Sequence, residues 1–133
     1  MVREVDVSEI TKNIREMCIS VNYELSSDMK KVLSEAHENE ESPLGKQILG
    51  QLQKNLDIAK MDRIPICQDT GMAVVFLEIG QDVHLTGGNL EDAINEGVRE
   101  GYTDGYLRKS VVSDPIIRKN TGDNTPAIIH EKI

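Results

Sequence analysis

NLEDAINEGVREGY, Asn89–Tyr102, opens on a helix-capping asparagine and then sets Leu90, Ala93, Ile94, Val98 and Tyr102 at the spacing of one helical face. Gly97 and Gly101 interrupt the segment, although a glycine costs a helix interior about 1 kcal/mol against alanine. Two glycines one turn apart imply that another backbone, from a sheet or a partner chain, comes close to this helix, because no Cβ stands in the way. The stretch is therefore read as an amphipathic helix packed closely against another backbone.

Three further helices are expected ahead of it. From Val7 to about Leu25, Ile10, Ile14, Met17, Cys18 and Val21 recur at three- and four-residue steps, one apolar stripe. SSDMKKVLSEAHENEES, from Ser26, starts with capping residues and repeats Met29, Val32, Leu33 and Ala36 before dissolving into charge. Ser42 followed by Pro43 starts a third helix, with Leu44, Ile48, Leu52 and Leu56 four residues apart, running to about Lys60. The three share a need for a common apolar partner surface.

Extended structure is expected later in the chain. MAVVFLEIG, Met72–Gly80, is a short apolar run rich in strand formers and reads as a core strand. DVHLTGG, Asp82–Gly88, is a second strand, and the turn between them makes a hairpin the natural pairing. Ala127–Ile129 looks like a last strand. Early helices and a later small mixed or antiparallel sheet make the fold class α+β. The 133 residues suit a single domain, and a chain that stops soon after this strand, with no polar tail, suggests the front part of a longer polypeptide.

A formal net charge of -8, without a basic stripe interleaved with aromatics, opposes nucleic acid as a partner. The N-terminus lacks a signal peptide's apolar run and no segment approaches membrane-spanning length, so no membrane partner is expected and the location is read as cytoplasmic. Cys18 and Cys67 are the only two cysteines, and both are expected to be reduced. Cys18 lies on the apolar stripe of the first helix and reads as a small buried hydrophobe. His37, His84 and His130 are too scattered for a local metal motif.

Chemistry concentrates in RIPICQDTG, Arg63–Gly71. Pro65 keeps Ile64 out of helix, while Asp69 and Gly71 supply turn chemistry, so the bland reading is a connection between a helix and a strand. That leaves Cys67, Gln68 and Asp69 grouped on a loop, where functional groups are commonly presented. A nucleophilic thiol needs a nearby base, and the local motif holds no histidine; ligation of a metal or cluster needs none, and leaves Asp69 placed to act on whatever the metal binds. NTGDNTP, Asn120–Pro126, is dense in hydrogen-bonding groups that could cradle an anionic or polyhydroxylated ligand, although its composition favours an ordinary capped loop. Arg108 could present a bidentate fork to a carboxylate, or form a surface ion pair.

IPICQDTG followed by EGVREGYTDGYLRKSVVSDPIIRKNTGDNTPAIIH resembles the iron–sulfur hydro-lyases that include class I fumarate hydratases and L(+)-tartrate dehydratases, in particular the N-terminal part of the alpha subunit of the two-subunit form. The resemblance implies a four-iron, four-sulfur cluster on three cysteines, with one iron open as a Lewis acid. Cys67 matches one of those three ligands, and the others are expected further along the family's chain. Gln68 and Asp69 match residues that face the substrate, with Asp69 catalytic through the hydroxyl or water, and Arg108 matches a position that can hold a substrate carboxylate. The implied substrate is a C4 dicarboxylate, fumarate to malate or alternatively L(+)-tartrate to oxaloacetate. The implied partner is a beta subunit in an oligomer, with this chain alone inactive. A third possibility is a non-catalytic assembly domain that docks a partner subunit.

Overall fold

The structure is a computed structural model that describes residues 2–133. Its elements run β1 (Arg3–Asp6), α1 (Val7–Tyr23), α2 (Ser27–Asn39), α3 (Pro43–Asp62), β2 (Val74–Glu78), β3 (Val83–Thr86), α4 (Leu90–Asp104) and β4 (Ile128–Lys132). The α+β class expected from the sequence is the one observed. Two compact units divide the chain, one of residues up to Ile19 together with Gln68–Ile133, the other Ser20–Cys67.

The core of the first unit is the seam between α1 and α4. Ile14 and Cys18 from α1 are buried, as are Ala93, Ile94, Val98 and Tyr102 from α4, with Ile94 and Val98 fully sequestered. The glycines make the seam possible. A Cβ on Gly97 would stand 2.5 Å from the Thr11 carbonyl oxygen and 2.8 Å from the Ile14 Cβ. One on Gly101 would stand 2.7 Å from the Cys18 Cβ and 3.0 Å from the Arg15 carbonyl oxygen. The close backbone that the glycine spacing calls for is thus helix α1, which corrects the expectation of a sheet or a partner chain. Two polar contacts fix the register: Thr11 Oγ1 donates to the Ala93 carbonyl at 2.9 Å, and Arg15 Nε reaches Asp104 at 2.8 Å. Met17, expected on the buried stripe, is half exposed, because so close an approach covers only a narrow strip of α1.

The strands form where expected, and β1 adds one that the early acidic residues concealed. Their pairing corrects the expected hairpin and antiparallel sheet. β1 pairs in parallel with β3, Arg3 opposite Val83, and β2 in parallel with β4, Val74 opposite Ile128. The chain between β2 and β3 is a tight turn, with Val83 N–H donating to Gly80 O at 3.0 Å. Its flanks are committed to other strands: Ile79 N–H donates to Lys132 O and Arg3 N–H to Asp82 O, both at 2.8 Å. The core-strand reading of Met72–Gly80 also needs correction. Only Val75 and Leu77 turn inward on β2, and Phe76 is 77% exposed, its ring stacked on His130 at 4.8 Å.

In the second unit, Ser42 caps α3 by accepting from Gly45 N–H at 3.3 Å, with Pro43 at the first position as expected. α2 and α3 pair with each other, yet no residue of α2 is buried, and in α3 only Ala59 is. Met29, Val32, Leu44, Ile48 and Leu52 stay largely exposed, as does Val21 at the end of α1, because two helices side by side cannot cover both apolar faces.

Alanine has the higher helix propensity, but at Gly97 a methyl meets backbone that cannot yield. Gly97→Ala is therefore expected to destabilise the fold by about 1–3 kcal/mol, the usual range for overpacking. Urea denaturation checks this as a lower midpoint at unchanged slope.

Candidate functional site

The approach to Cys67 is built by the end of α3. Arg63 adopts a left-handed conformation, φ 52°, and the Arg63 and Ile64 N–H groups both bond to the Ala59 carbonyl, which stops the helix. The Arg63 guanidinium lies 5.9 Å above the Tyr23 ring. Pro65 then keeps the chain extended, while Ile66 N–H donates to Asn22 O and Asn55 Nδ2 donates to Ile66 O, each at 2.9 Å. Cys67 closes this unit as an exposed thiol, and neither it nor Cys18 is in a disulfide.

The first unit resumes at Gln68 and Asp69, both exposed. Thr70, the next residue, donates from Oγ1 to the Arg108 carbonyl at 3.0 Å. That bond brings the Gln68–Asp69 loop against the backbone of Arg108, whose side chain is also exposed. Three of the sequence-predicted residues are therefore presented from adjoining backbone segments, with Cys67 covalently next to them.

NTGDNTP spends its polar groups on bonds within the loop and to neighbouring segments of its own unit. Asn120 Nδ2 donates to Lys109 O at 2.8 Å, and Asn120 Oδ1 accepts from Gly122 N–H at 2.7 Å. Thr125 donates to Asp123 Oδ1 from N–H at 3.0 Å and from Oγ1 at 2.8 Å. Arg99 Nε donates to Asp123 Oδ2 at 3.0 Å and its guanidinium also pairs with Glu96. Burial alone raises the Asp123 pKa, but the bonds from Thr125 and Arg99 outweigh it and hold the carboxyl down at about 2. The geometry is that of the capped loop favoured by composition.

Two residues that the sequence left out of the site sit directly beneath it. Asn124 is wholly buried and Tyr102 is 3% exposed. Their side chains bond to backbone on both sides of the loop. Tyr102 was legible only as an apolar helix position, although a buried tyrosine needs a partner for its hydroxyl. Asn124 was legible only as a turn former.

Cys18 is buried as expected, and burial pushes its thiol up to about 11. A thiolate, the form that ligates metals and attacks electrophiles, is strongly disfavoured there. His84 and His130 are exposed, and His37 is partly buried on α2. Among the described residues no group of three or more His, Cys, Asp or Glu side chains could hold a metal ion. An open groove of about 470 Å³ lies over β1 and the start of α1, lined by Val5, Ile10, Ile14, Met17 and Leu77 among others, and includes none of the predicted site residues.

Residues 11–133 match the family model described as fumarate hydratase (fumerase). The chain belongs to the fumarate hydratase family. A putative L(+)-tartrate dehydratase subunit alpha from Methanocaldococcus jannaschii is 36% identical over 109 residues, covering 78% of this chain and 38% of that protein. The aerobic class I fumarate hydratase of Escherichia coli is 34% identical over 139 residues, covering 96% of this chain and 25% of its own length. Its anaerobic counterpart is 37% identical over 102 residues, 75% of this chain and 18% of that enzyme. This fumarate hydratase family chain therefore spans well under half the length of these relatives.

The exposures predict a clear difference between the thiols. In the native chain iodoacetamide should alkylate Cys67 and spare Cys18, with Cys18 reacting only after denaturation; peptide mass spectrometry reads both. A second expectation concerns acid. Because Asp123 in the fold titrates below the ordinary aspartate value of about 3.9, its contribution to stability is complete above that value and is lost as pH falls toward about 2. Asp123→Asn should flatten that acid limb in urea denaturation measured across this range.

Proposed function

We propose that this chain supplies one part of the site of an iron–sulfur hydro-lyase that interconverts fumarate and malate. The observation that carries the reading is the exposed Cys67–Gln68–Asp69 sequence, tied through Thr70 to the backbone of Arg108 in a chain of the fumarate hydratase family. Its family is iron–sulfur dependent, and the donor set of this chain can be compared with a cluster that takes three cysteines. Cys67, exposed on a loop, fits one ligand; Cys18, wedged against Gly101 with its thiol raised to about 11, does not fit as another. The remaining ligands lie outside these residues.

When bound, the cluster would supply a Lewis-acidic iron that polarises the hydroxyl leaving or entering the substrate. The rest of the chemistry asked of this chain is binding and orientation. Arg108 presents a planar fork with two parallel donors to one substrate carboxylate. Asp69 accepts a hydrogen bond from the hydroxyl or water and so fixes its direction, and the Gln68 amide can both donate to and accept from the same end of the substrate. The proton on carbon is assigned to no residue here.

L(+)-tartrate is a second reading of the same site, favoured by the name of the Methanocaldococcus jannaschii relative, whose designation as a subunit alpha also supports a beta subunit as the proposed partner. An assembly role is a third, favoured by the exposed apolar residues of α2 and α3. No helix among the described residues is long and apolar enough to cross a membrane.

In the assembled, anaerobically reconstituted enzyme, Cys67→Ser should abolish iron and sulfide incorporation while this chain keeps its far-UV circular dichroism, and Cys18→Ser should retain the cluster. Equal loss from both would overturn the ligand assignment. Arg108→Lys should raise KM for fumarate more than it lowers kcat. Turnover of L(+)-tartrate at a higher kcat/KM than fumarate would favour the second reading.

A further inference from the structure

Asn124 is a fully buried polar side chain at a left-handed backbone position, φ 65°. Its Oδ1 accepts two backbone N–H groups, from Ser110 at 2.7 Å and Val111 at 3.0 Å. Its Nδ2 donates to the Gly71 carbonyl at 3.0 Å. Tyr102 completes the connection, its hydroxyl lying 3.0 Å from the Thr70 carbonyl oxygen and 3.3 Å from that of Gly71, the carbonyl that Asn124 also holds. Thr70 Oγ1 then reaches the Arg108 carbonyl. A single buried amide thus clamps Gly71 to Ser110 and Val111, with Gly71 two residues after Asp69 and Ser110 two residues after Arg108.

Few residues could take this place. The backbone conformation favours Asn, Asp or Gly. Of these, Asp would accept from Ser110 and Val111 but could not donate to Gly71 while ionised, and Gly would make none of the bonds. The helix that carries Tyr102 packs in turn against α1, so the clamp stands on the buried core of its unit. Of the NTGDNTP side chains, Asn124 is the one that bonds the backbone following Asp69.

We propose that Asn124, with Tyr102 behind it, is a positioning residue that sets the spacing between Asp69 and Arg108, and so the separation of hydroxyl and carboxylate that the site accepts on a dicarboxylate. The inference rests on the site assigned under the proposed function. Asn124 touches no substrate in this account; it acts through the two backbone segments it joins.

Asn124→Gly is the decisive variant, since it keeps the backbone conformation and removes the side chain. In the reconstituted holoenzyme it should leave iron content unchanged and lower kcat/KM for fumarate by up to about a hundredfold, the scale of a misplaced reactive geometry. Succinate, an unreactive C4 dicarboxylate, should bind more weakly as a competitive inhibitor. Asn124→Asp should recover part of the loss by restoring the contacts to Ser110 and Val111. A double variant with Arg108→Lys should fall short of the product of the two single effects, because both act on the same grip. Hydrogen exchange at residues 108–111 provides a readout independent of catalysis and should quicken in Asn124→Gly. Faster exchange with unchanged kcat/KM and succinate affinity would overturn the positioning role while leaving the site assignment intact. Strictly multiplicative effects would reduce Asn124 to a general stabiliser and also overturn it. Unaltered kinetics in Arg108→Lys and Asp69→Asn would instead remove the site assignment, and the positioning role with it.

Discussion

The contact on which the first unit depends is the bare backbone of α4 lying against α1 at Gly97 and Gly101. Because that helix cannot rotate or slide without driving a carbonyl into its neighbour, every side chain it carries is aimed. Asn95 accepts Ala127 N–H at 2.9 Å and sets the entry to β4. Arg99 holds Asp123, and Tyr102 holds the carbonyls that follow Asp69. Gly105 N–H returns to Gly101 O at 2.9 Å, turning the chain toward Leu107 and Arg108. Successive turns of one helix thus govern the last strand, the polar loop and both flanks of the candidate site.

The two thiols illustrate how position decides chemistry within one short chain. Cys18 occupies the space that Gly101 leaves, and its sulfur behaves as packing. Cys67 follows a helix stop and a proline, in a segment whose preceding residue is bonded on both its N–H and its carbonyl. Exposure there is combined with a constrained approach, which suits a ligand more than a mobile surface thiol would.

Local signals were legible wherever one segment determined its own form. The caps at Ser42 and Asn89, the proline at the start of α3 and the apolar periodicities placed all four helices close to their observed bounds. Pairing was not legible, because parallel strands meet partners distant in the chain and nothing in MAVVFLEIG or AIIH names the other. The short link after Ile79 favoured a hairpin on proximity alone, and tertiary hydrogen bonds to Lys132 and from Arg3 prevailed over it. At the site, Cys67, Gln68 and Asp69 stood out because polar groups clustered on a loop invite a role. Asn124 did not, since an asparagine between aspartate and threonine in a turn looks the same whether it faces water or holds two segments together.

The seam also divides α4 as a target for engineering. Along Gly97 and Gly101 the addition of one methyl group is consequential, whereas Glu91 and Glu96, on exposed positions of the same helix, face solvent. Surface charge, and with it solubility, crystallisation behaviour or attachment to a matrix, can therefore be rewritten at Glu91 without disturbing the helix's alignment. Glu96 offers less latitude because it shares Arg99 with Asp123.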